Sequence, residues 1–366
     1  MSTIFRVIDT GLREGRANIA FDQAMIDARQ ASEIPDTIRF IHFPPTALVG
    51  RHQSLSKEIR LEACAERGVG LARRITGGGA IYLDEGQLGW AIVCNKASLG
   101  TTRLDEVTRK ICEAAAVGLS TLGIKAAFRP RNDIEVDGRK ISGTGGFFDG
   151  GTLIFQGTVL VDLDPLTMLS ALNVPQEKLA KRALDDAGSR IVTLRELLGE
   201  APSLETVKAA LIRGFEEHLG IECIAGEPTA EEERAAAVLY DEEIGKDDFV
   251  YEISGTEEDE TLMTGSYTGL GGTATAHVRV EGAGNDRIRE VLITGDFFIT
   301  PPRIIYDLEA SLRGKPVSEA GRLVREFFAA ASVGMLSISP DDFAAAVEIA
   351  LGQREPQTPK AGVPAA

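Results

Sequence analysis

The sequence predicts an α/β fold for the first two thirds of the chain, followed by a smaller α+β domain. Helical and strand-like apolar periods alternate through the first half of the chain, and glycine-rich bends separate the strand candidates. The composition then changes near Gly245 to a glycine- and threonine-rich stretch with β-type alternation. We therefore place a first domain at residues 1–245, a smaller second domain at 246–352 and a disordered tail at 353–366.

The secondary structure follows from the periodicity of the apolar residues. Helical spacing predicts helices over residues 18–29, 58–67, 104–122, 304–312, 319–332 and 340–351. Alternating or short apolar runs predict strands at 38–43, 80–83, 88–94, 152–161, 274–280 and 289–293, and one strand that ends at Arg74. Asp137-Gly138 predicts a hairpin between 134–136 and 139–142. Residues 165–240 look mainly helical, with a short apolar break at 221–224.

Composition excludes several classes of protein. Hydrophobic residues make up 43% and charged residues 26% of the chain, and no apolar run is long enough to span a membrane. The formal net charge of −16 disfavours non-specific binding to nucleic acid. The N-terminal residues lack the basic start and apolar stretch of a secretory signal. We expect a cytoplasmic protein with neither a membrane nor a nucleic-acid partner.

Cysteine and histidine spacing gives no sign of a metal site. Four cysteines lie far apart without CxxC spacing, and the four histidines form no paired motif. We expect the cysteines to be reduced and mostly buried.

The first candidate site segment is RRITGGGAIYLD, from Arg73 to Asp84, in which three glycines separate two strand candidates. Without a Cβ, the backbone can approach a ligand closely, and its N–H groups can bind an anion. Arg74 adds a planar guanidinium donor next to the bend. Three glycines alone are more often a plain turn, so the motif needs a second element.

The second segment is RPRNDIEVDGRKISGTGG, from Arg129 to Gly146, which places Lys140 directly after the predicted hairpin turn. When a carboxylic acid is activated by ATP, two anions meet, and a fixed cation lowers their repulsion in the transition state. An exposed hairpin lysine is the alternative interpretation. Asn132-Asp133 could hold magnesium or the adenosine end of a nucleotide, or could form an ordinary turn.

Taken together, the two segments resemble the lipoate-protein ligase A family, within the lipoate and biotin ligase superfamily. Arg73, Arg74, Thr76, Gly77 to Ala80 and Asp84 match the signature RRxSGGGAVxxD, and Asn132-Asp133 with Gly138 to Gly143 match NDhxhxGrKhSG. Further similar positions are Asn18, Asp22, Gly50 to Gln53, and Ile293 to Ile299 (ITGDFFI), which is similar to the GDFF element of an accessory domain. The resemblance extends over most of residues 1–350.

The resemblance implies that residues 1–245 form an α/β catalytic domain with the mixed sheet of biotin ligases and class II synthetases. It implies that residues 246–352 form an α+β accessory domain. It also implies an enzyme that uses ATP and magnesium to activate lipoate or octanoate as an acyl-adenylate. The acyl group would then pass to a lysine of a lipoyl carrier domain, of the E2 type or the glycine-cleavage H type. Lys140 would be catalytic, in contact with both the acyl carbonyl and the α-phosphate.

The resemblance also implies binding residues. ATP would contact Arg74, Gly79, Ala80, Ile81, Tyr82, Asn132, Asp133 and Lys140. Lipoate would contact Arg73, Thr76, Gly77, Gly78, Lys140, Gly143 and Gly157, and Asp133 would bind the metal. Two positions depart from the family pattern: Leu83 stands where a histidine often precedes the aspartate, and Gln156-Gly157-Thr158 replaces His-Gly-Thr. Acyl-chain preference and carrier choice therefore stay open.

Three other functions are alternatives to an ATP-dependent ligase. A related octanoyltransferase uses no ATP and forms a thioester on a cysteine, but Cys94 and Cys112 have apolar neighbours, and Cys64 and Cys223 lie outside both segments. A biotin ligase has a different glycine loop. A non-catalytic lipoyl-binding protein would be expected to lack Lys140, which is present.

Overall fold

The computed structural model describes residues 3–173, 190–254 and 262–355. Strands β1 to β11 lie at Thr3–Leu12, Thr37–His42, Thr46–Val49, Gly70–Arg73, Ile81–Leu83, Gln87–Asn95, Ala127–Arg129, Asp133–Val136, Arg139–Asp149, Thr152–Leu160 and Ile221–Ala225. Strands β12 to β16 lie at Met263–Gly269, Gly272–Glu281, Arg287–Gly295, Ile299–Thr300 and Gly334–Met335.

The helices alternate with these strands. Helices α1 to α9 lie at Gly15–Gln30, Leu55–Glu58, Leu61–Arg67, Leu104–Ser120, Pro165–Ala171, Leu194–Leu198, Leu204–Leu219, Ala230–Leu239 and Asp247–Val250. Helices α10 to α12 lie at Ile304–Leu312, Ala320–Ala330 and Pro340–Ala350. A π-helical turn at Tyr240–Ile244 and a 3-10 turn at Val317–Glu319 complete the described helical segments.

A mixed eight-stranded sheet forms the first domain, which confirms the predicted fold class. Its strand order is β11-β1-β2-β6-β10-β9-β8-β7. Strand β1 pairs in parallel with both β11 and β2. Every other neighbouring pair in this order, from β2-β6 to β8-β7, is antiparallel. A small sheet of order β4-β3-β5 lies beside it, so both ends of the triple-glycine segment are fixed to strand β3.

Each face of the large sheet has its own apolar core, because strand side chains alternate between the two faces. On one face, Trp90 and Phe155 pack with residues of α4 and α7 such as Ile111 and Phe215. On the other face, Val93 and Ile154 pack with Phe21 and Met25 of α1.

The second domain has an independent core. Strands β12, β13 and β14 form a three-stranded antiparallel sheet, and α10 to α12 pack against it. Phe297, Phe328 and Phe343 lie buried at the centre, with ring centroids 4.9 Å apart for Phe297 and Phe343 and 5.2 Å for Phe328 and Phe343. The accessory domain expected from the sequence is therefore an α+β unit.

Several sequence predictions need correction. The predicted boundary at Gly245 is too early, because Phe249, Val250 and Ile253 are still buried in or against the first domain. The apolar break at 221–224 is strand β11, which pairs with β1. Strand β1 itself carried no clear apolar alternation and was not predicted. Residues 174–189 of the predicted helical stretch and 356–366 of the predicted tail lie outside the described residues.

Within the described ranges, no helix is long and apolar enough to cross a lipid bilayer.

Candidate active site

One face of strands β9 and β10 carries the candidate site. Gly143 and Gly145 are two residues apart on β9 and so present the same face. Gln156 of β10 is paired directly with Gly145, which places its side chain on this face. Thr144, between the two glycines, points the opposite way and meets Cys112 of α4, with Sγ and Oγ1 3.2 Å apart. The absence of side chains at Gly143 and Gly145 leaves room above the sheet.

Lys140 reaches into this room from the start of β9. Its Nζ lies 2.8 Å from Asp133 Oδ1, and 2.8 Å from where a Cβ on Gly143 would be. Its side chain is 32% exposed, so the amine is part-buried rather than in bulk solvent. Gly143 therefore makes the space that Lys140 occupies, and any larger residue there would displace the amine.

Asp133 joins two cations. Its second oxygen lies 2.5 Å from Arg129 Nη2. Burial would raise the pKa of Asp133, but the charges of Lys140 and Arg129 and their hydrogen bonds outweigh it, so the pKa is lowered. The carboxylate is ionised at neutral pH and fixes the position of the Lys140 amine. The neighbouring Asn132 amide instead donates to the Thr144 carbonyl, so this side chain secures the backbone of β9.

The triple-glycine bend is held from several sides. Arg74 donates to the carbonyls of Gly77 at 3.2 Å and Gly79 at 2.7 Å. Burial lowers the pKa of Arg74 to about 10, which leaves it a cation at neutral pH. Thr76 donates to Gln156 Oε1 at 3.3 Å, which attaches the bend to the face that carries Gly145. Gly78 has φ +91°, a left-handed conformation that favours glycine.

A buried polar network continues from Gln156. Gln156 Nε2 donates to Asp22 Oδ2 at 2.5 Å, and Arg39 Nη1 lies 2.5 Å from Asp22 Oδ1. Arg39 also donates to Asn18 Oδ1 at 2.6 Å. Burial raises the pKa of Asp22, while the Arg39 charge opposes that shift. Asn18 and Asp22, which the sequence marked only by resemblance, thus support the bend indirectly.

The structure places two predicted lipoate contacts elsewhere. Arg73 is buried, and its guanidinium donates to backbone carbonyls of Gly50, Arg51, Gln53, Phe249, Val250 and Ile253. Its donors are therefore engaged in holding loops together. Gly157 faces the indole ring of Trp90, on the opposite side of the sheet from Gln156. We reassign both residues to structural support.

The remaining predicted contacts follow the bend into β5. Gly79 is exposed, while Ala80 and Ile81 are part-exposed and therefore accessible to a nucleotide. Tyr82 is buried in the cluster around β3, and burial, with Asp84 nearby, raises its pKa to about 12. Leu83 is buried in the α1 core. The side chains of Tyr82 and Leu83 therefore face the core, whereas residues 79–81 are accessible.

Sequence reasoning missed the contribution of the second domain. The Phe297 carbonyl accepts a hydrogen bond of 3.1 Å from Gly78 N, and the Phe298 ring lies against Gly78 and Gly145. His52 stacks on Phe297 with centroids 5.2 Å apart. The GDFF-like element was the available signal, but the sequence did not indicate that it touches the bend.

None of the four thiols in the chain lies on the site face. Cys112 is buried on the α4 side of β9, and burial raises its pKa to about 12. Cys94 is fully buried and Cys64 is buried beside α5, while Cys223 lies on edge strand β11; burial raises the pKa of each of these three thiols. All four are thiols rather than thiolates at neutral pH, so none is prepared for nucleophilic attack.

The arrangement is suited to bringing anions together. A part-buried ammonium, oriented by a carboxylate, lies over Gly143 of β9, and the triple-glycine bend faces the same strand across the Phe298 ring. The walls at Gly78 and Gly145 carry no side chains and form an apolar slot, which the Phe298 ring occupies. The ammonium can pair with a carboxylate, and the slot accepts an apolar group.

Comparison with known proteins points to one family. Residues 14–216, more than half of the chain, match the model of the lipoyl protein ligase A/B catalytic domain. Over 259 residues the chain is 32% identical to octanoyltransferase LipM of Kyrpidia tusciae, covering 64% of this chain and 94% of that protein.

Solved structures agree with this family. A bi-partite lipoate protein ligase from Thermoplasma acidophilum, described with its E2 lipoyl domain, matches with a TM-score of 0.61 and 26% identity, covering 69% of this chain and 97% of that chain. LipL1 of P. falciparum, in complex with lipoate, matches with a TM-score of 0.65 over 90% of this chain and 95% of that chain. Its identity of 16% supports the shared fold alone.

Proposed function

The chain belongs to the lipoyl protein ligase A/B catalytic-domain family, and on that premise we propose that it is an ATP-dependent lipoate-protein ligase. It activates lipoate or octanoate as an acyl-adenylate and transfers the acyl group to a lysine of a lipoyl carrier domain. Members of this family transfer acyl groups to proteins in lipoylation. What we propose for this chain is that ATP, rather than an enzyme thioester, activates the acyl group.

The proposed reaction has two steps. A carboxylate oxygen of the acid attacks the α-phosphorus of ATP, and the bond to the bridging oxygen of pyrophosphate breaks. The unprotonated amine of the carrier lysine then attacks the acyl carbon, AMP leaves with the electron pair, and the amine's proton passes to solvent. Lys140 stabilises the negative charge that gathers where carboxylate and α-phosphate meet.

The observation that carries the choice of ATP is the position of the thiols. A transferase that works through an enzyme thioester needs a thiolate beside the acyl group. All four cysteines of this chain lie off the site face, with pKa values raised by burial. Lys140, held by Asp133, is present at the site instead. Adenylation requires such a cation and no thiol.

A second candidate is an octanoyltransferase, which the 32% identity to LipM of Kyrpidia tusciae favours. Its thiol would have to come from Cys112, the cysteine nearest the site. Cys112 would need to move from the α4 side of β9 through a fully buried core to reach an acyl group. The ligase requires no such rearrangement.

Magnesium is proposed to accompany ATP. Among the described residues no cluster of three histidine, cysteine or acidic side chains exists that could hold a metal by itself. Mg²⁺ commonly uses one or two carboxylates and takes its other ligands from phosphates and water. The ionised carboxylate of Asp133 would be that ligand once a phosphate pairs with Arg129 or Lys140 in its place. The metal would supply charge neutralisation for the phosphates.

The proposal is tested with purified protein and a lipoyl domain. We expect lipoate or octanoate with magnesium and ATP to give acylated domain by intact mass, and the acid alone to drive exchange of pyrophosphate into ATP. Octanoyl-acyl carrier protein without ATP is the competing donor. Acylation from that donor, with a hydroxylamine-sensitive adduct on the enzyme that Cys112→Ala removes, would establish the transferase and reject the ligase.

A further inference from the structure

The Phe298 ring fills the slot beside the triple-glycine bend. A Cβ on Gly78 would lie 2.5 Å from its Cζ, and a Cβ on Gly145 would overlap the ring. The ring therefore lies between the bend on one side and β9 on the other. It belongs to the second domain, although both glycines belong to the first.

Strand geometry places this ring next to Lys140. The Lys140 amine occupies the side-chain direction of Gly143, and the Phe298 ring occupies that of Gly145. These residues are two apart on one strand face, so the amine and the ring are separated by about two residue rises, or about 7 Å. An acid whose carboxylate meets Lys140 and whose tail runs along β9 enters the volume of the ring.

Hydrogen bonds between the two domains fix the segment that carries Phe298. Thr300 Oγ1 donates to the Phe148 carbonyl at 2.6 Å and accepts from Phe148 N at 2.8 Å, which fixes the segment to β9. Gly78 N donates to the Phe297 carbonyl at 3.1 Å. Gly295 N donates to the His52 carbonyl at 2.9 Å. These are exchangeable backbone and hydroxyl hydrogen bonds, and the Phe298 ring itself is only part-buried.

We propose that Phe298 competes with the acyl tail for the slot, so that acyl binding requires this segment of the second domain to leave the bend. The slot offers apolar contact and bare backbone, which a phenyl ring and a hydrocarbon tail satisfy equally well. Two apolar groups cannot share the volume, so each excludes the other. The apparent affinity for the acid is then reduced by the fraction of protein in which the ring is docked.

This inference rests on the proposed function only in placing an acyl acid at Lys140. It does not depend on ATP, because a transferase would bind the same tail. A result that removes the adenylation step therefore leaves it untouched, and the two can fail separately.

The test measures octanoate binding to full-length Phe298→Ala by calorimetry. We expect the dissociation constant to fall about tenfold. This is the change expected if the docked ring is favoured about ten to one in the parent protein and the variant has no docked state. Phe327→Ala is the matched control, since it removes a ring of the same domain that packs on Phe328 rather than in the slot. The control should bind octanoate as the parent does.

A measurement on the unchanged protein accompanies the variant. Adding octanoate should increase amide hydrogen exchange in residues 296–300 while protecting residues 76–80. Unchanged or weaker binding by Phe298→Ala, or protection of 296–300 by octanoate, would overturn the competition. Absence of octanoate binding to both proteins would reject this inference together with the proposed acyl site.

Discussion

At the scale of single residues, Lys140 carries the largest predicted effect. Lys140→Ala removes the only ammonium shown beside Gly143 and Asp133 among the described residues, and we expect adenylate formation to fall by at least about 100-fold. Arg129 still neutralises Asp133, so the protein should remain folded. Pyrophosphate exchange and circular dichroism measure the two outcomes.

Arg139→Ala is the matched control for Lys140. Arg139 lies one residue away and pairs with Glu196 at 2.5 Å on the surface, outside the site. An exposed pair of this kind contributes little to stability. Near-normal exchange by Lys140→Ala, or an equal loss in Arg139→Ala, would contradict the assigned role.

His52 predicts a dependence of stability on pH. Burial, with the charges of Arg51 and Arg73, lowers the pKa of His52 to about 3 from the ordinary 6.5. Neither ring nitrogen has a hydrogen-bond partner among the residues that the structure describes. As pH falls below 6.5, the unfolded chain takes up a proton that the folded protein does not. Stability is therefore lost between pH 6.5 and about 3, by up to about 1.4 kcal/mol per pH unit.

The substitution His52→Phe should flatten this dependence. A phenyl ring can keep the stacking on Phe297 without a group that titrates. His218→Gln, at a part-exposed site beside Glu113, is the control and should leave the acid sensitivity in place. Urea unfolding at several pH values tests both, and an unchanged slope in His52→Phe would refute the assignment.

At the scale of elements, Asp22 and Arg39 connect helix α1 to strand β2 through a buried ion pair. Asp22→Ala would leave the Arg39 guanidinium buried without its carboxylate, and we expect a loss of about 3–5 kcal/mol in the free energy of unfolding. Glu233→Ala, which breaks the part-exposed pair with Arg13, should cost less than about 1 kcal/mol.

The same network connects these elements to the site. Asp22 accepts from Gln156, which accepts from Thr76 at the triple-glycine bend. Asp22→Asn keeps an acceptor for Gln156 and should retain more activity than Asp22→Ala at temperatures where both are folded. Equal activity of the two variants would show that the network acts on stability alone.

At the scale of the whole molecule, the boundary between domains decides which truncation folds. Arg73 donates to the carbonyls of Phe249, Val250 and Ile253, and Val250 is fully buried. A chain of residues 1–254 keeps these contacts, whereas 1–245 leaves the Arg73 guanidinium short of acceptors. We expect the longer form to melt cooperatively and the shorter form to be destabilised or insoluble.

The longer truncation also tests the second domain in catalysis. It removes Phe298, so we expect it to bind octanoate at least as well as full-length protein. If the domain reorients between adenylation and transfer, acyl transfer should slow while adenylation persists. Equal transfer rates in the two forms would count against such reorientation.

The fold class, the family and the two site segments were all predictable from local sequence patterns. These are local properties. Helical and β-type periods predict α1, α4 and β6, and Asp137-Gly138 predicts the hairpin turn just before β9, the strand that carries Lys140. The glycines at 77–79 were visible as positions where the backbone could approach a ligand closely, and Gly143 was marked by the resemblance.

The partners of these glycines follow from the packing of segments that are distant in the sequence. The sequence could not assign Arg73 to six carbonyls, turn Gly157 toward Trp90 or bring Phe298 between Gly78 and Gly145. Each depends on which strands are neighbours and which face a residue presents, and a shift of one residue in register reverses the face. Contacts between positions more than a hundred residues apart arise from the packing of the whole chain, which local patterns do not specify.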